Sequence, residues 1–113
     1  MEHPDTIRAM ENIASTYGHL GKYKEAEKLE IQVLDARRII LGVEHPDTIK
    51  AMANLAAMYC TMGKYTDAEK LGIQVLGARK RILGVEHTDT LLALEILAST
   101  YENMEKHKMQ SNW

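Results

Sequence analysis

A segment of 42 residues is written twice in this chain and begun a third time. Glu2, Glu44 and Glu86 open the three copies at equal spacing, and 2–43 matches 44–85 at 28 of 42 positions without a gap. The third copy keeps the pattern through EHTDTLLALEILASTY and then loses it, with EKHKMQSNW standing where the earlier copies have GKYKEAEKL and GKYTDAEKL. A unit of this length cannot bury its own apolar face, so its copies must stack and share one core. The period therefore limits the chain to an array of similar units.

Within each copy the apolar residues follow a helical rhythm in two blocks separated by Gly-Lys-Tyr. Ile7, Met10, Ala14 and Tyr17 form one stripe, which Ile13 and Leu20 widen. Ala26, Leu29, Val33, Ala36 and Ile40 form a second, repeated by Ala68, Leu71, Val75, Ala78 and Ile82, with Ile31, Leu34 and Leu41 beside it. Gly21 and Gly63 suit the end of the first helix, Gly42 and Gly84 the end of the second. The pattern predicts helices near 5–19, 23–41, 47–61, 65–83 and 89–104, an all-α solenoid of about two and a half units forming a single domain over 1–113, with repeats 2–43, 44–85 and a partial 86–113.

The recurring EHPDT could be a ligand device or a helix start. Pro46 lacks the N–H that a first helical turn leaves unpaired, and Asp47 and Thr48 offer a carboxylate and a hydroxyl to the other free N–H groups. Equivalent loops of stacked units stand one or two helix-packing distances apart, about 8–10 Å each, so His3, His45 and His87 should not share one ion. Structural punctuation is the expectation, with no metal and no cofactor. Arg37, Arg38, Arg79, Lys80 and Arg81 fall in or near the last turns of the long helices, where a solvated face favoured by the dipole is expected rather than a phosphate site.

Composition narrows the function. Lys+Arg 14 against Asp+Glu 16 gives a net charge of −2, without the basic excess that nucleic-acid binding uses. No apolar run is long enough for a membrane span, and MEHPDT lacks the features of a signal peptide. Cys60 is the single cysteine, which fits a reducing compartment. A cytoplasmic protein with neither nucleic acid nor membrane as partner is expected. No converging acid, base, nucleophile or phosphate loop is visible, so no catalytic residue is named and no enzyme is expected.

The stretches NIASTYGHLGKYKEAEKL (12–29) and NLAAMYCTMGKYTDAEKL (54–71) resemble the tetratricopeptide repeat (TPR). The usual unit of that family is about 34 residues. The extra residues here lie at the end of the second helix and in LGVEHPDT, which is similar to kinesin light chain repeats and to those attached to NLR-like signalling ATPases of fungi and bacteria. Met10 and Met52 stand where many such repeats carry a larger aromatic. The resemblance implies a right-handed array of antiparallel helix pairs whose first helices line a concave groove for a peptide or protein segment, or a structural, self-assembling piece of a larger adaptor.

The differences between copies suggest where such a groove would be. Arg8/Lys50, Glu11/Ala53, Ser15/Ala57, Gly18/Cys60 and His19/Thr61 fall on one stripe of the first helix, away from the buried one. The third-copy counterparts include Leu92, Glu95 and Ser99. Asn12, Asn54 and Ile96 join them because groove residues of the family resemble them, and a mid-helix Asn has no propensity advantage. An exposed face free to vary explains the stripe equally well. Tyr17, Tyr59 and Tyr101 belong to the packing stripe. In the unfinished copy, Leu91, Leu94, Leu97 and Tyr101 are expected on a face left without its long helix, a candidate surface for homo-oligomer formation.

Overall fold

Where glycine follows a helical block the backbone can turn, and where it is missing the helix runs on. The computed structural model describes residues 4–111 and holds five helices: α1 (Pro4–His19), α2 (Tyr23–Leu41), α3 (Pro46–Met62), α4 (Tyr65–Leu83) and α5 (Thr88–Ser111). Gly63 closes α3 in the left-handed region at φ 82, ψ 9, with its N–H donating to the Cys60 carbonyl at 3.1 Å and the Lys64 N–H to the Tyr59 carbonyl at 2.8 Å. Gly42 and Gly84 end the long helices differently, at φ 93 with ψ 161 and 160, a region essentially reserved for glycine. In the third copy Glu105 occupies the Gly63 position, and α5 continues to Ser111 instead of stopping near 104. No reversal occurs there, so no sixth helix folds back on α5 among the described residues.

The EHPDT motif starts α3, and its EHTDT version starts α5, but the side chains divide the work differently from expectation. His45 is the N-cap, with Nδ1 accepting the Asp47 N–H at 3.0 Å, and His87 accepts the Asp89 N–H at the same distance. Thr48 is fully buried and its hydroxyl donates backward to the Arg37 carbonyl at 3.2 Å, as Thr90 does to Arg79. Asp47 turns its carboxylate toward the Arg37 guanidinium at 3.5 Å. The imidazole thus satisfies a free donor of the first turn, worth about 1 kcal/mol for a cap, while Thr and Asp tie the new helix to the preceding long one. His3 lies outside the described residues.

Each helix packs on its neighbours in sequence, and α3 also reaches α5. The core is built from the predicted stripes: Ile7 and Ala14 from α1, Ala26, Val33 and Leu34 from α2, Ile49, Met52 and Leu55 from α3, and Ala68, Val75 and Ala78 from α4. Full burial of one Val, Leu or Ile contributes about 1.5–3 kcal/mol. The stripes are narrower than their sequence extent. Ile13 and Leu20 are exposed on α1, which has no long helix before it among the described residues, whereas Leu55, the counterpart of Ile13 on a helix packed between α2 and α4, is buried. Ile40, Leu41 and Ile82, at the ends of the long helices, and Ile31 on the outer face of α2, are also exposed. The result is a slab of 50 × 35 × 19 Å with a radius of gyration of 14.7 Å, above the about 13 Å of a globular chain this long. No helix of the described residues is long and apolar enough to cross a membrane.

Candidate functional site

The helices α1 and α3 stand side by side over α2, and between them runs a cleft of about 640 Å³. Eight of the groove candidates line it: Glu11, Asn12, Ser15 and His19 from α1, and Lys50, Asn54, Ala57 and Thr61 from α3. Asn12 and Asn54 are one repeat apart, and both are exposed. Gly18 contributes only backbone to the opposite wall from Met58. One repeat later the corresponding pair is Cys60 and Thr100, whose Sγ and Oγ1 meet at 3.0 Å and draw α3 and α5 together. Cys60 therefore faces α5, not the open stripe on which the sequence placed it.

The remaining stripe residues lie elsewhere. Arg8 borders a separate recess of about 130 Å³ with Ile7, Arg37, Ile40, Leu41 and Asp47. Leu92, Glu95 and Ser99 are exposed on α5 and Ile96 is half-buried, none of them in the cleft. The terminal apolar face needs one correction. Leu91 and Leu94 are 48% and 50% exposed and Tyr101 is exposed too, but Leu97 is buried. It fills the space over Gly72, where an added Cβ would come within 3.1 Å of its Cδ1, so it belongs to the packing of α5 on α4 and not to a free surface.

The floor of the cleft holds a charged group that stripe analysis missed. Glu30, on α2, is only 4% exposed, and its Oε2 is shielded from solvent with no hydrogen-bond partner among the described residues. Burial pushes its carboxyl up to about 7, the Glu11 charge adds to the effect, and Arg37 opposes it. Arg37 is itself enclosed, 13% exposed, with Nη2 donating to Glu11 Oε1 at 3.1 Å and a buried Nε without a partner among the described residues. It is an inter-helix tie rather than part of a solvated basic face. The signal for Glu30 was present in the sequence: its counterpart is Gly72, one of few differences between the long helices of copies otherwise so alike. Glu30 lies on the second helix of its copy, as does Tyr23, which also borders the cleft, so neither belongs to the first-helix stripe.

Around the cleft the side chains are held rather than loose. His19 Nδ1–H donates to the Ser15 carbonyl at 2.7 Å. The Tyr59 hydroxyl engages Glu27, and desolvation, followed by that carboxylate, pushes its pKa up to about 12. Lys64 sits 5.7 Å from the Tyr59 ring centre and 3.4 Å from Glu27 Oε1, and Tyr101 engages Glu69 in the same way one repeat on. These tyrosines join successive units, in keeping with a packing role. No three His, Cys, Asp or Glu side chains among the described residues are placed to hold one ion.

The chain matches the tetratricopeptide repeat family over residues 5–80 and 47–109. It is similar to the solved structure of a Podosopora anserina protein with nearly identical TPR-like repeats of kinesin light chain type, at 30% identity and TM-score 0.81, covering 94% of this chain and 50% of that one. A single-residue variant of that protein gives 26% identity and TM-score 0.80, with coverage of 97% and 52%. BtubC (BKLC) from P. vanneervenii shares the fold at 18% identity and TM-score 0.81, over 92% of this chain and 41% of that one. The chain thus spans about half the length, or less, of these structures. No curated protein matches it significantly. Repeats of this kind generally mediate protein–protein interaction and are generally not enzymes. The 42-residue helix-turn-helix period and these matches agree that the chain belongs to the tetratricopeptide repeat family, in its kinesin light chain-like form.

Proposed function

We propose that the cleft between α1 and α3 receives an extended segment of a partner protein. The observation that carries this reading is the presence of Asn12 and Asn54, one repeat apart, in the lining of a single cleft whose volume lies within the range of ligand sites, about 300–1,000 Å³. A side-chain amide offers both donor and acceptor, which suits it to pair with the N–H and C=O of a bound backbone. Lys50 in the cleft lining, and Arg8 and Glu95 outside it, would then read flanking side chains. A second reading also has an observation behind it. Leu91 and Leu94 are half exposed, whereas their counterparts Ile49 and Met52 are 4% and 5% exposed beneath α4, and with Tyr101 they would bury this face in a homo-oligomer. Neither reading involves catalysis or a cofactor, and a cytoplasmic setting remains part of the proposal.

One set of samples separates them. Peptides are selected on the wild-type chain from a random dodecapeptide library, and affinity and solution mass are then compared for the wild type, Asn12→Ala/Asn54→Ala and Leu91→Ser/Leu94→Ser. Cleft binding predicts that the asparagine pair loses tenfold or more in peptide affinity at unchanged mass. Self-association predicts a light-scattering mass above the monomer that only the leucine pair reduces. Selected peptides indifferent to the asparagine pair would overturn the cleft reading, and a monomer at high micromolar concentration would overturn the other.

A further inference from the structure

Resting on the cleft reading, we infer that its ligands are anchored by a cationic side chain, lysine or arginine, inserted against Glu30 at the floor. Glu30 is buried, lies in the cleft floor, and keeps Oε2 without a hydrogen-bond partner among the described residues. A carboxylate so placed gains little from water and much from a charge-assisted hydrogen bond, which an ammonium or guanidinium group supplies. The local field has the right sign. Glu11 faces the same space from α1, and although Arg37 is close, its Nη2 is committed to Glu11. Lys50 and His19 also border the cleft, from exposed positions on α3 and at the end of α1. The floor is therefore acidic beneath a mixed rim.

Among the described residues the site belongs to one interface. In the next repeat Gly72 replaces Glu30, Ala53 replaces Glu11, and Leu97 fills the vacated volume. Two copies that agree at 28 of 42 positions thus differ at both carboxylates. A cationic anchor at the first cleft fixes the register of a bound segment, because the array offers no second acidic floor among the described residues to slip to.

Binding of a cation requires Glu30 ionised, so it is coupled to proton release. The carboxyl titrates at about 7, which leaves it about 10% ionised at pH 6 and about 90% at pH 8, so affinity rises about tenfold over that interval. His19 and Lys50 border the same cleft, and Glu11 and Arg37 act on the carboxyl from α1 and α2. Glu30→Gln isolates the carboxyl: the pH dependence that this substitution removes belongs to Glu30.

The experiment uses dodecapeptides selected from the random library on the wild-type chain, with binding measured by titration calorimetry at pH 6, 7 and 8 in buffers of different ionisation enthalpy. The expected result is enrichment of Lys or Arg at one peptide position, about half a proton released at pH 7, and a tenfold or greater loss with Glu30→Gln or with the peptide's cation replaced by norleucine. Circular dichroism of Glu30→Gln at each pH establishes that the variant is folded. Peptides that need Asn12 and Asn54 but show no cation enrichment, or bind Glu30→Gln equally well, overturn this inference and leave the cleft reading standing. Peptides indifferent to the asparagines, or none selected at all, overturn both.

Discussion

Glu30 shows how one side chain couples the stability of this array to its surface. Its folded carboxyl titrates at about 7 against 4.5 for the ordinary group, so between those values the unfolded chain has released a proton that the folded chain still holds. Stability must then fall as pH rises through this window and level off above pH 7. Discounted for relaxation of the surroundings of a buried charge, the full shift leaves about 1–3 kcal/mol. Urea denaturation at pH 5 and pH 8 should show that loss in the wild type and not in Glu30→Gln. Equal slopes for the two proteins would mean that Glu30 is well solvated. The histidine of EHPDT teaches the complementary lesson. Its place at a helix start was legible from the proline beside it, but that the ring takes the free N–H of Asp47, while the Asp47 carboxylate turns to Arg37, was decided by the tertiary structure.

At the level of the helices, boundaries were the most legible feature, because glycine and proline act locally. Four of the five helices start and stop within a residue or so of the positions their sequence implies. The end of α5 departed for an equally local reason, the absence of glycine at position 105. Gly42 allows a direct check. Its φ of 93 and ψ of 161 lie where a Cβ is strained, although nothing stands within 4 Å of the space it would occupy. Gly42→Ala should therefore cost about 1–3 kcal/mol, from backbone strain alone, read as a lower urea midpoint with unchanged slope. A cost below about 0.5 kcal/mol would show that the loop relaxes into another conformation.

For the whole molecule, position in the stack decides what a residue does. Ile13, Leu55 and Leu97 are equivalent by sequence, yet the first is 47% exposed and the others 3% and 7%, because among the described residues the latter two have a long helix before them and the first does not. Ile49 and Leu91 show the same dependence on the long helix after them, which the first has and the second lacks. A linear array of this kind should open from its ends. Hydrogen exchange should find the amides of α3, enclosed by α2, α4 and α5, most protected and those of 105–111 least. Uniform protection from α1 to α5 would indicate a single all-or-none unit instead.

The period, the helix limits apart from the end of α5, the centres of the buried stripes and the family were settled by the sequence itself, since each rests on contacts a few residues long or on the spacing of copies. Most of the cleft lining was legible too, as a stripe that varies between repeats. Only the tertiary structure decided that Glu30 lies beneath that stripe, that Cys60 and Leu97 face inward, and that Arg37 is enclosed. These depend on which helix lies against which and on what fills the space between them, and a repeated sequence cannot express that, because identical words stand in different surroundings at the ends and in the middle of a stack.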